Sequence, residues 1–120
     1  MKSHRDLEVW RRSVDLVTEI YAVTRTFPAD ELYGLTGQMR RAAVSVPSNI
    51  AEGAARNSQK EFLRFLSIST GSLAEMETQL LIARNLNYME QDTLGPEIER
   101  IRQMLHGLIN SIKRKMKQEY

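Results

Sequence analysis

Apolar residues return at alternating spacings of three and four near both ends of this chain. One row is Leu7, Trp10, Val14, Val17 and Tyr21; the other is Ile98, Ile101, Leu105, Leu108 and Ile112. Such spacing follows one face of an α-helix, whereas a strand would need a match at every second residue. Two further amphipathic segments lie between the rows, and no alternating apolar–polar run marks a strand. The fold class is therefore all-α. Four long amphipathic segments with short links make an antiparallel up-and-down four-helix bundle. A length of 120 residues suits one domain with a single core, read as residues 1–120.

The helices are expected at about 6–25, 36–56, 58–86 and 93–117. Ser3 and Asp6 have capping-box spacing before the first, and Phe27-Pro28 ends it. Ser58 and Glu61 have the same spacing at the start of the third, and Asn87 suits a left-handed C-cap. Gly95-Pro96 fits only the first turn of the fourth. In the first helix, Leu16, Ile20 and Val23 form a second apolar row beside the first. At 100° per residue the two rows cover roughly half the circumference, where one packing face needs roughly 100°. That helix is expected to touch more than one partner layer. The second helix is rich in alanine (Ala42, Ala43, Ala51, Ala54, Ala55), which allows close approach. Pro47 removes a backbone donor in its middle and is expected to kink it, with Ser45 as a local cap.

Polar residues interrupt the apolar faces. Ser45, Asn49, Glu52 and Arg56 follow at spacings of four, three and four, and Ser72, Glu75 and Gln79 form a similar stripe on the third helix. Ile68 and Leu86 lie in line with the second stripe, so Glu75 is expected to be at least partly buried, with serine, asparagine and arginine as partners. One reading is a structural network that fixes helix register or a subunit interface. The other is a ligand or catalytic site. Carboxylates in a bundle suit a di-iron centre only with Glu-x-x-His pairs, but His4 is near the terminus and Gln103 occupies the required position before His106. No Walker-type loop or dinucleotide fingerprint is present, and no histidine stands where it would activate a serine. No enzyme activity, metal or cofactor is expected. A small-molecule cavity would need space that the alanine-rich helix does not leave.

Net charge is only +2, and cysteine is absent. The first excludes a strongly basic nucleic-acid binder; the second excludes a disulfide framework, a thiolate nucleophile and a cysteine zinc site. No apolar run approaches the ~18 residues of a membrane span, and the N-terminus lacks the apolar core of a signal peptide. A soluble cytoplasmic protein is expected. The basic residues with most scope for phosphate contact are Lys113, Arg114, Lys115 and Lys117, together with Arg40 and Arg41. Cations at a helix C-terminus also complement the macrodipole and keep the end solvated. Arg11-Arg12 is a further basic pair. No aromatic series interleaves with these residues, so a base-stacking platform is not indicated.

Leu7-Glu-Val-Trp10, Phe27-Pro28, Tyr33-Gly-Leu-Thr36 and Gln38 stand in order along the chain. Val44-Ser-Val-Pro-Ser-Asn-Ile-Ala-Glu-Gly53 and Gly71-Ser-Leu-Ala-Glu75 follow. In these motifs the chain closely resembles the small four-helix-bundle proteins encoded in intervening sequences of bacterial 23S ribosomal RNA genes. The resemblance covers almost the whole chain, with Asp92 to Pro96 the least typical part. It implies a homo-oligomeric ring, a pentamer. A more distant resemblance is to the accessory variability protein of diversity-generating retroelements, a pentameric bundle that binds nucleic acid and a reverse transcriptase. The resemblance therefore implies a non-enzymatic oligomeric module that binds RNA or a ribonucleoprotein partner through basic surface. The alternative is a protein-interaction scaffold that never touches nucleic acid.

Overall fold

The computed structural model describes residues 3–118. Among them every regular element is helical: a 3₁₀ turn at His4–Asp6, α1 at Glu8–Thr24, a 3₁₀ turn at Ala29–Glu31, α2 at Leu35–Ala54, α3 at Gln59–Asn85 and α4 at Gly95–Gln118. The four helices run alternately up and down and pack as a rod of 52 × 21 × 19 Å. None of the described helices is long and apolar enough to cross a membrane.

The helix ends follow local chemistry. Ser3 Oγ accepts from the Arg5 amide at 3.2 Å, and Asp6 returns the bond to the Ser3 amide at 3.3 Å. This box closes the short 3₁₀ turn, and α1 starts after it at Glu8. Ser58 caps α3 by accepting from the Glu61 amide at 3.2 Å, but the Glu61 carboxylate takes Arg64 Nε at 2.9 Å, so only half of that box forms. Asn87 has φ of 63°, and the Tyr88 amide reaches back to the Ala83 carbonyl at 2.9 Å; this is the left-handed stop of α3. Asp92 accepts from the Gly95 amide at 2.8 Å and sets the first turn of α4 there. Helix α2 continues through the buried Pro47 without a break. Ser45 does not cap there; its hydroxyl crosses to α3.

The core is a column of Leu16 and Ile20 from α1, Met39, Val46 and Ile50 from α2, Leu66, Leu73 and Met76 from α3, and Ile98, Ile101 and Leu105 from α4. The row read on α4 is the buried one; the first row read on α1 is not. The inward row of α1 is Val9, Ser13, Leu16, Ile20 and Thr24, while Val14 and Tyr21 are exposed. Ser13 and Thr24 disguised it, because polar residues do not read as core. Both hydroxyls donate to their own helix, to the Val9 and Ile20 carbonyls at 2.7 Å, so their burial leaves no unmet donor.

Candidate nucleic-acid interface

The polar residues singled out in the sequence separate into three groups. The first ties α2 to α3. Ser45 Oγ lies 2.8 Å from Ser72 Oγ, and Asn49 Nδ2 donates to the Ser45 carbonyl at 2.8 Å and to its hydroxyl at 2.9 Å. Ser69, absent from the sequence reading, donates to the Val46 carbonyl at 2.8 Å, next to Pro47. The second group is an exposed pair, Arg56 with Glu52 at 3.1 Å. In the third, Gln79 Nε2 donates to Glu75 Oε1 at 3.3 Å. Glu75 is exposed, contrary to the burial expected of it. The inward row of α3 is Ser69, Leu73, Met76 and Leu80, and Ile68 and Leu86, which suggested burial, are themselves exposed. Gln79 is buried, and its Oε1 has no donor among the described residues.

The two histidines lie apart from these groups. His4 packs edge-on against Trp10 with ring centroids 4.8 Å apart, and His106 lies on the exposed side of α4. Among the described residues, no group of three or more His, Asp or Glu side chains is placed to hold a metal ion.

The six basic residues also divide. Lys113, Arg114, Lys115 and Lys117 are exposed in the last turns of α4 and make no ion pair among the described residues. The up-and-down topology brings the α2–α3 turn to the same end of the rod. A cavity of about 470 Å³ there is lined by Leu7, Arg56, Ser58, Phe62, Ile112 and Lys115. Lys60 and Arg64 stand in the first turns of α3 beside it, Arg64 held by Glu61 at 2.9 Å. Sequence reading missed Arg56 and Lys60 as part of this surface, although an antiparallel bundle requires residues 56–60 and 113–117 to share an end. The two links at the other end carry Asp30, Glu31, Glu90 and Asp92 against the single cation Arg25. Charge is thus biased along the rod, despite the small net value, although Glu52 and Glu61 pair with Arg56 and Arg64 at the basic end.

Arg40 and Arg41 lie away from the basic end. Arg40 Nε donates to Thr24 Oγ1 at 2.9 Å, and its guanidinium sits 4.5 Å above the Tyr21 ring. Arg41 borders a groove of about 580 Å³ with Leu32, Tyr33 and Val44. Folding places aromatic and basic side chains together here, which the linear sequence did not suggest. Arg12 is also committed elsewhere: it bonds Glu8 at 3.1 Å and Glu97 at 3.2 Å, joining α1 to the start of α4. Those contacts, the Glu8 bond foremost, raise its pKa further above the ordinary arginine value. At the acidic end, Glu31 accepts from Tyr88 Oη at 2.8 Å and from the Leu35 amide at 3.2 Å. The tyrosine bond first, then the amide, holds its carboxyl below the usual range.

The model of a family described as 23S rRNA-intervening sequence protein matches residues 5–107. The basic tail from Lys113 lies just beyond the matched residues. No curated protein matches the chain.

Proposed function

The chain belongs to the 23S rRNA-intervening sequence protein family, and from that premise we propose that it is a non-enzymatic homo-oligomeric module that binds RNA, alone or in a ribonucleoprotein, through its basic end. The observation that carries this reading is the clustering of Lys60, Lys113, Arg114, Lys115 and Lys117, with the Glu52-paired Arg56, at one end of the rod, while acidic side chains outnumber basic ones in the links at the other. A single chain offers a small patch. Copies related by a closed rotation point the same way, so a ring would place every basic end on one rim. Five copies, the number the family resemblance implies, would add avidity to weak single contacts. The setting is the cytoplasm. Contact is to phosphates, which makes binding strongly salt-dependent and tolerant of sequence.

Fluorescence anisotropy with a structured RNA, a single-stranded RNA and duplex DNA, at low and physiological salt, tests this reading. Binding should fall steeply with salt. Replacing Lys113, Arg114, Lys115 and Lys117 by glutamate should weaken it by about tenfold or more. Unchanged affinity in that variant would move the site off the tail. No binding of any probe at low salt would overturn the RNA reading and leave a protein-interaction scaffold.

A further inference from the structure

Of the exposed large apolar side chains among the described residues, all but two form shoulders on either side of α2; Val44 lies on α2 between them, and Leu81 lies on the α4 side of α3. Val14 and Tyr21 make the α1 shoulder, continued by Leu32 and by Tyr33, which is 93% exposed. Tyr21 packs against Arg40 of α2, so this shoulder lies on the α2 side of α1. Ile68, Ile82 and Leu86 make the α3 shoulder, on one helical stripe with Glu75. Ser72, beside that stripe, bonds Ser45 of α2, so this shoulder lies on the α2 side of α3. Helix α4 has no large apolar side chain among the exposed ones.

We propose that the α1 shoulder of each copy docks on the α3 shoulder of the next, so that α2 faces the interior of a closed ring and α4 faces outward. The inference rests on the oligomeric half of the function proposed above. Pairing α1 with α1 would close a dimer and leave both α3 shoulders bare. Head-to-tail pairing covers both shoulders in every copy. Register and charge select the same arrangement. The Ser69–Val46 and Ser45–Ser72 bonds fix antiparallel α2 against α3, which sets Arg40 and Arg41 level with Glu75 and Met76. Tyr21 is level with Arg40. In an up-and-down bundle α1 and α3 run in the same direction, so Val14 and Ile68 are level too, each seven residues earlier.

In a ring of parallel copies, Val14 then meets Ile68 of the neighbouring copy, Tyr21 and Arg40 meet its Glu75, and Leu32 and Tyr33 meet its Ile82 and Leu86. The charges complement. Arg40 is oriented by Thr24 and Tyr21 but has no anionic partner among the described residues. Glu75 has no cationic partner among them and is bonded by Gln79 Nε2. Pairing Arg40 of one copy with Glu75 of the next satisfies both.

The chain has no cysteine, so introduced thiols report alone. Single variants Val14→Cys and Ile68→Cys and the double variant are treated with a short bis-maleimide, with mass measured by light scattering. The double variant should form a covalent ladder up to the size of the assembly, while each single variant stays uncrosslinked. A crosslinked dimer from Val14→Cys alone, or an intact oligomer without the ladder, would overturn the proposed pairing but not the oligomer. A monomer at every concentration would overturn the oligomeric reading itself. A charge exchange supplies an independent check: Glu75→Arg should dissociate the assembly, and adding Arg40→Glu should restore it. Full assembly of Glu75→Arg would exclude the ion pair.

Discussion

Gly53 shows how one missing atom sets the distance between two helices. A Cβ there would stand 2.8 Å from Phe65 Cβ, 3.0 Å from Phe62 Cδ1 and 3.3 Å from the Phe62 carbonyl oxygen. The Phe65 Cβ is fixed to its backbone, so relief requires α3 to move. Gly53→Ala gains up to ~1 kcal/mol of helix propensity but overpacks at a cost of about 1–3 kcal/mol. The expected result is a lower urea midpoint. Gly107, with nothing within 4 Å of its added Cβ, provides the contrast. Gly107→Ala should stabilise by about 0.5–1 kcal/mol, because only the propensity term acts. Equal shifts of the two midpoints would show that α2 and α3 are not in such close contact. The glycine of the Ile50-Ala-Glu-Gly53 run therefore has a packing reason, as does Ser69, which holds the Val46 carbonyl beside Pro47.

Between elements, the clearest link is the clamp of Glu31 and Tyr88, which joins the α1–α2 connection to the end of α3. Its two bonds lower the carboxyl pKa of Glu31, and the same contact raises that of the Tyr88 phenol. A depressed folded value means that the carboxylate contributes stability above its unfolded pKa of about 4.3, and that this is lost as pH falls through the folded value. Tyr88→Phe should therefore destabilise the bundle at neutral pH, and the difference from wild type should shrink below the Glu31 titration. Carbon-detected NMR should find the Glu31 pKa of the variant nearer the ordinary value. The ring contact with Phe27 at 5.4 Å is kept in this variant, so a stability difference that is absent or independent of pH would show that the hydroxyl bond does not stabilise the Glu31 carboxylate.

For the whole molecule, what matters is how the remaining surface is distributed. One broad face carries two apolar shoulders around α2, one end is mainly basic and the links at the opposite end are mainly acidic. If the shoulders are covered by other copies, folding and assembly are linked, and the melting temperature should rise with protein concentration. Differential scanning fluorimetry over a hundredfold concentration range would detect this. A constant midpoint, together with a monomer mass, would mean that the apolar shoulders face water in solution.

The all-α class, the four helices and the stops at Phe27-Pro28 and Asn87 were legible in the sequence, because period, proline and left-handed backbone are properties of consecutive residues. So was the family, carried by the Ser-Val-Pro-Ser-Asn-Ile-Ala-Glu-Gly motif. Which α1 row faces inward was not legible, since two rows share one period and burial depends on neighbours elsewhere in the chain. Glu75 was misread for the same reason: Ile68 and Leu86 around it are apolar yet exposed. The basic end was legible only in its tail; Arg56 and Lys60 joined it through the antiparallel return of the chain. Local periodicity determines what each segment becomes, but only three-dimensional packing decides which side chains are left over for a partner.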